Sequence, residues 1–399
     1  MRNEDLSLQQ AKPATSPLEG AVPQDVEFIE ETGRSEQSVL VASQWKLMWW
    51  KFRRHRLAMI GLAIVIFLYL IAIFAELITP VDPNKVNSSY TYAPPQGLRL
   101  FREENGERVF GLHVHGYKSE IDQETLAKTF TIDEEQVIPI GFWVRGYEYK
   151  LFGLIPFDRH LIGPKDSSQP FYILGADRLG QDLFSRLIMG TRISMSVGLI
   201  GVALSLILGI VLGGISGYFG GAIDTLIQRI IEFLQSIPAI PLWMGLAAAL
   251  PKDWSQLRVF FGITIILSVL GWTGLARVVR GRFLSLREEE FVTAARLDGT
   301  GEMRIILRHM VPSFTSHIIA SITLAIPAMI LAETSLSFLG LGLRSPINSW
   351  GVLLQEAQNI RSVSTAPWLL LPGAMVVLAV ISLNFLGDGL RDAADPYAA

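Results

Sequence analysis

The sequence predicts an all-α integral membrane protein of six transmembrane helices, with a small β-rich extracytoplasmic insertion between the first and second. Three observations carry this. Half of the 399 residues are hydrophobic and only 18% are charged, whereas an ordinary soluble chain has about a quarter charged. The deficit is concentrated in windows of roughly 20 nearly uncharged residues, the length that crosses a hydrocarbon core of about 30 Å. Lys and Arg also collect in some of the short loops and avoid others, the asymmetry that sets the orientation of membrane proteins.

The mean hydropathy is +0.37 and the net charge is −3. The signs are segregated along the chain, so the balance points to no nucleic-acid partner. With no cysteine present, disulfides, thiol chemistry and Cys-type zinc sites are excluded.

Residues 1–44 are polar and lean acidic, with scattered Pro and Ser. They lack the basic-then-apolar pattern of a cleavable signal peptide and are expected to form a disordered cytoplasmic tail. Residues 45–78 are a basic juxtamembrane segment followed by the first span, Leu57–Ile78, whose one charge is Glu76. Lys46, Lys51, Arg53, Arg54 and Arg56 precede it among Trp45, Trp49 and Trp50. Basic residues stay on the cytoplasmic side and Trp anchors at the interface, which places the N-terminus inside.

Residues 79–172 form the insertion. Pro83, Pro94-Pro95, Gly97 and Gly106 signal turns, and RVFGLHVHGY and GFWVRGYEYKLFG alternate as strands do. Residues 173–399 hold five further expected spans, at about 193–217, 227–250, 259–279, 312–336 and 368–390. Six spans return the C-terminus to the cytoplasm. The loops this assigns inside, above all 45–56 and 277–311, hold most of the Lys and Arg of the short loops.

One inside loop is unusual. Residues 288–312 read EEEFVTAARLDGTGEMRIILRHMVP, charged and punctuated by Ala-Ala and Gly between two oily spans. Ser285-Leu-Arg-Glu288 has the form of a capping box, which predicts a helix starting near Leu286. Gly299 can take the left-handed conformation that ends one, and Glu302–Met310 restarts a helix before Pro312. Ala294 and Ala295 leave a shallow spot beside Phe291 and Val292, with Glu and Arg as a polar rim, a surface to which another protein could dock. The bland alternative is a loop that merely solvates itself.

The pattern E-x3-A-A-x3-G, followed by I-I-L-R-H and a Pro, resembles the EAA loop of ATP-binding-cassette importer permeases. Glu290, Phe291, Ala294, Ala295, Gly299, Arg308 and Pro312 are the residues this assigns to coupling with an ATPase, within a loop at 285–312. LGADRLGQDLFSRLIMGTRIS (174–194), GYFGGAIDTLIQRIIEFLQSIP (217–238), ETSLSFLGLG (333–342), SWG (349–351) and NFLGDGLRDAADP (384–396) are similar to the C-type permease subunit of oligopeptide, dipeptide and nickel importers. The resemblance covers about 40–78 and 172–399. Ala176 and Gln181 stand where that family usually has Thr and Arg, and the insertion is far longer than in ordinary dipeptide permeases.

The resemblance implies a type I importer permease of the bacterial inner membrane, both termini cytoplasmic, importing di- or oligopeptides with no catalytic residue, cofactor or metal of its own. It implies a heterodimer with a B-type permease, two ATP-binding-cassette ATPase subunits, an extracytoplasmic substrate-binding protein and surrounding lipid, with no nucleic acid. Oligosaccharides, opines and nickel complexes stay open as substrates. The sequence has no Gly-Lys pair, so it contains no phosphate-binding G-x-x-x-x-G-K-[ST] loop.

Two other classes compete. A secondary transporter calls for ionisable residues near mid-membrane, and the middles of these spans carry almost none. A receptor built around the external insertion is the other. Glu333, late in the fifth span, reads either as a gate or pathway contact near the outer mouth or as an interfacial carboxylate held by a backbone N–H or an Arg. Arg229 and Glu232 have the spacing of a helical ion pair. His113 and His115 share a strand face without a third ligand. Gly198, Gly201, Gly209, Gly213, Gly214 and Gly217 suit close helix packing or flexible points in a moving helix.

Overall fold

The computed structural model describes residues 44–104, 107–121, 128–251 and 253–394. The tail expected over 1–44 lies outside the described residues except for Gln44. The chain divides into Met1–Trp50 and Lys51–Ala399. In the first unit the described residues open helix α1 (Gln44–Arg54), where the Lys46 ammonium lies 5.0 Å from the centre of the Trp50 ring.

In the second unit, α2 (Arg56–Ile73) is capped by His55, whose Nδ1 accepts from Ala58 N at 3.0 Å. It ends five residues before the expected Ile78. Arg192 causes this: its guanidinium donates to the carbonyls of Ala72 (2.7 Å) and Ile73 (3.0 Å) and to both oxygens of Glu76. A cation on the last carbonyls of a helix satisfies groups that otherwise lack partners. Phe74 leaves helical geometry, and a single turn, Ala75–Ile78, follows. Glu76 is therefore a paired charge.

Among its described residues the insertion has four strands, β1 (Arg99–Glu104), β2 (Glu107–Ile121), β3 (Lys128–Leu151) and β4 (Ile155–Pro164), paired antiparallel in the order β1-β2-β3-β4. The 24-residue β3 pairs with β2 through its first half and with β4 through its second. Val114, Ile138, Ile140 and Phe171 form its core with Val81 and Ile162 against them. His113 and His115 are buried with rings 5.2 Å apart, edge to face.

Helix α3 (Leu183–Phe219) has 37 residues, about 55 Å at the α-helical rise, so it extends beyond any bilayer core. The segment before it is a polar knot. Asp177 accepts from Leu179 N and Gln181 N, at 2.8 and 2.9 Å, and from the Arg186 guanidinium. Arg186 Nε in turn donates to Asn348 at 2.9 Å, and Asp182 caps the helix by accepting from Ser185 N at 2.8 Å. Gly180 has φ +67, and a Cβ there would lie 1.8 Å from the Asn87 carbonyl. The motif residues at 174–194 thus fix the entry to α3.

The expected span 227–250 is not one helix. α4 (Gly221–Ser236) and α5 (Ala239–Ala248) meet at a bend of 88°. Pro238 lacks an N–H and forces Ile237 into an extended conformation (φ −95, ψ 130). Among the described residues there are therefore five helices long and apolar enough to cross a membrane, or up to six if this bent pair is one span. The five are α2, α3, α6 (Gln256–Leu286), the Ile318–Phe338 part of α8 (Thr315–Phe338) and Pro367–Ala394. After α6 comes a short helix, α7 (Glu290–Leu297), then α8 (Thr315–Phe338), α9 (Trp350–Gln355) and α10 (Leu371–Ala394).

Helices α3 and α6 pack through a stripe of small residues. A Cβ on Gly213 would come 2.5 Å from the Ala276 carbonyl oxygen, and one on Gly217 2.6 Å from that of Arg280. Gly209, four residues earlier, meets Leu275. Small residues every fourth position let two membrane helices touch backbone to backbone. Gly198 and Gly201 instead make room for the side chains of Ile330 and Met329 of α8.

Gly213→Ala is expected to destabilise the chain by about 1–3 kcal/mol through overpacking. Gly274→Ala on α6, where a Cβ meets nothing within 4 Å, is expected to be neutral. Thermal unfolding of both purified variants in detergent checks this pair.

Candidate functional site

The segment between α6 and α8 is built as follows. Ser285 and Glu288 do not start a helix. Leu286 is the last residue of α6, and the next helix begins at Glu290 after an extended N-cap, Glu289 (φ −71, ψ 149). The capping-box expectation is thus corrected. A long apolar helix already running through Ser285 overrides a four-residue local pattern, and Glu289 caps without a side-chain hydrogen bond.

α7 is eight residues long, too short to be stable alone, and two features hold it. At its end Gly299 takes φ +75; Gly299 N donates to Arg296 O and Thr300 N to Ala295 O, both at 3.1 Å. This paired closure satisfies the last carbonyls and needs a residue that tolerates positive φ. On its inner side Val292 and Ala295 are buried with Tyr218, Val279, Phe283, Ile305, Ile306, Met310 and Phe314. Arg296 reaches back to donate to the Tyr218 hydroxyl at 2.9 Å, its guanidinium 5.4 Å from the ring centre.

This corrects the sequence reading of the docking spot. Val292 and Ala295, three apart and so on one helix face, belong to the chain's own core. The outward face carries Glu290, Phe291, Ala294 and Leu297, with Phe291 41% and Leu297 83% exposed. Leu297 was not picked out from the sequence, although a fully exposed leucine beside a glycine stop is the strongest apolar feature of that face.

After Gly301 the chain forms one α-turn, Glu302–Ile305, then a π-helical turn, Ile306–Met310, then Val311–Ser313. Pro312 lies in this last short helix, where its missing N–H removes a hydrogen bond, and a π-turn is one way a helix absorbs such a disruption. Arg308 and Pro312 are exposed.

Beneath this segment Asp224 of α4 receives two hydrogen bonds, both 2.5 Å, from Arg280 of α6, and another from Ser216 of α3. Three helices are tied at one carboxylate. Sequence reasoning missed this pair because 56 residues separate its members and neither stands in a local spacing pattern. Arg229 and Glu232 do pair, at 2.7 Å, on an exposed surface.

Glu333 is fully buried. It accepts from Ser337 and Ser349, each at 2.8 Å, and from Ser194 at 3.3 Å. Ser194 also accepts from Trp350 N at 3.1 Å. The carboxylate joins α3, α8 and the start of α9 in place of the expected backbone N–H or Arg, and in this conformation it faces no solvent.

Two family models match. Residues 209–398 match the binding-protein-dependent transport system inner membrane component, and residues 43–95 match the N-terminal transmembrane domain of oligopeptide transport permease C. The oligopeptide transport system permease protein OppC of Haemophilus influenzae is 39% identical over 240 residues, 60% of this chain and 75% of that one. OppC of Bacillus subtilis is 34% identical over 251 residues (63% and 77%), and the dipeptide permease protein DppC of the same species is 38% identical over 224 (56% and 68%). Among solved structures, the methionine ABC transporter MetNI in an inward-facing form covers 53% of this chain and 98% of that chain at 16% identity and a TM-score of 0.41.

Gly299→Val is expected to weaken the end of α7 by about 1–2 kcal/mol, the cost of a left-handed conformation for an L-residue. Gly299→Asn, which adopts that conformation more readily, should lose less. Hydrogen exchange across residues 290–299 reads the difference.

Proposed function

The chain belongs to the family of binding-protein-dependent transport system inner membrane components, and from that premise we propose that it is the C-type permease subunit of an ATP-driven importer of di- and oligopeptides. The peptide assignment rests on relatives that transport oligopeptides, dipeptides and glutathione. The complex would contain a B-type permease, two ATPase subunits and an extracytoplasmic binding protein, in a bacterial inner membrane. The bent α4–α5 pair would be the third of six spans of a type I importer permease, with both termini cytoplasmic and the β-sheet outside.

The observation that carries the coupling role is the two-sided character of α7. Its inner side is locked to the membrane helices through Val292 and Ala295, and its outer side presents Phe291 and Leu297 to solvent. A helix of this kind passes force from a partner to the spans. Glu290, Ala294 and Arg308 would form the polar and shallow parts of that contact. Glu333 is a cross-link between helices in this reading, and a gate only if that cross-link opens during the cycle.

Because Phe291 and Leu297 are exposed, Phe291→Asp with Leu297→Asp should leave the chain folded and inserted. Copurification of the ATPase should fall at least tenfold, and uptake of a labelled tripeptide should be lost with it. Normal copurification together with normal uptake contradicts the proposal. A secondary transporter would instead move peptide when the purified chain alone is placed in liposomes under an ion gradient.

A further inference from the structure

We propose that the turn of the β3–β4 hairpin, residues 151–155, is a membrane anchor seated in the lipid interface beside the end of α2. The inference needs only that α2 crosses the bilayer and is independent of what is transported.

The first argument is direction. The hairpin runs alongside the chain that leaves α2, and their contacts step in opposite order. Near the base of the hairpin Val81 and Ile162 pack against the same buried cluster, and a Cβ on Gly163 would lie 3.0 Å from Pro80. Further along, the ring nitrogens of His160 lie 3.1 Å from Glu76 O and 3.2 Å from Tyr147 O. Last, the Phe152 ring meets the Phe74 ring edge-on at 6.0 Å. Moving toward the apolar helix on one chain is moving toward the turn on the other. The turn therefore reaches the level at which α2 ends.

The second argument is the surface it presents there. Leu151-Phe152-Gly153-Leu154-Ile155 is an unbroken apolar run, with Phe152 52%, Leu154 82% and Ile155 56% exposed. On α2 and just beyond it, Leu70, Ile73 and Phe74 are exposed too. These residues make one strip, half of it on a helix whose exposed face is lipid-facing, so lipid is the occupant that covers the other half.

The third argument is what lies behind the turn. The Phe157 ring meets those of Trp143 and Tyr149 edge to face at 6.0 and 5.9 Å, and the Tyr149 hydroxyl donates to Arg159 O at 2.7 Å. Lys150 is exposed one residue from the run. Aromatic rings with a polar end and basic side chains are the groups that settle at headgroup level. Exposure alone does not single out the turn. Phe101 and Phe110 on β1 and β2 are equally bare, but their ring contact is with each other.

The chain has no cysteine, so Leu154→Cys and Phe110→Cys each give one site for an environment-sensitive fluorophore. The full chain is placed in nanodiscs of phosphatidylethanolamine and phosphatidylglycerol, with either a lipid carrying a quencher near its headgroup or iodide in the water. The label at 154 is expected to be quenched several-fold more by the lipid quencher than by iodide, and the label at 110 the reverse. Iodide quenching dominant at 154 overturns the proposal. So does shielding of 154 from both quenchers, which would mean a protein partner covers the turn, or equal lipid quenching at 110.

Discussion

Val292 and Ala295 are buried on the inner side of an eight-residue helix, and whatever that helix transmits passes through them. A helix of two turns has no stability of its own in water. Full burial of a valine stabilises by about 1.5–3 kcal/mol, so this seat, with the closure at Gly299 and the Arg296–Tyr218 contact, decides whether α7 exists as a rigid body. Its neighbours in that core come from α3 (Tyr218), α6 (Val279, Phe283) and the segment leading into α8 (Ile306, Met310, Phe314). The short helix thus grips three membrane helices at one point.

Rigidity continues beyond the seat. The glycine stripe of α3 brings its backbone against the Ala276 and Arg280 backbone of α6, and so close a contact leaves little side chain between the two helices to deform. Arg280 and Asp224 add α4 to the same body. At the other end of α3, Ser194 and the Glu333 carboxylate bind it to α8 and to Ser349 ahead of α9. A displacement at α7 therefore reaches the far end of α3 through close backbone packing and buried hydrogen bonds. Any conformational change that separates α3 from α8 must break the contacts of Glu333.

Much of this was legible in the sequence where the signal is local. Apolar runs located five spanning-length helices, Gly299 announced a left-handed stop, and the 174–194 motif marked a place where several polar groups converge. The misreadings have physical causes. Ser285 and Glu288 mimic a helix start only when the helix already passing through them is ignored. The apolar run 227–250 hides a break because hydropathy is blind to Pro238. Val292 and Phe291 are equally apolar and each has an alanine three residues on, Ala295 and Ala294, so spacing is silent on which faces inward; packing against Tyr218, Val279 and Phe283 decides it. Asp224–Arg280 and Glu333–Ser194 are joined by tertiary contact across 56 and 139 residues, which no spacing rule reaches, whereas Ser337 lies only one helical turn beyond Glu333.

The central claim is that the outer face of α7 lies in the cytosol and is covered by an ATPase. The most direct measurement is the reaction rate of a single cysteine, Leu297→Cys, with a membrane-impermeant maleimide in oriented vesicles, with and without the ATPase subunits. The account predicts labelling in inside-out vesicles only, slowed at least tenfold when the ATPase is assembled. Labelling in right-side-out vesicles, or a rate that the ATPase leaves unchanged, would contradict it.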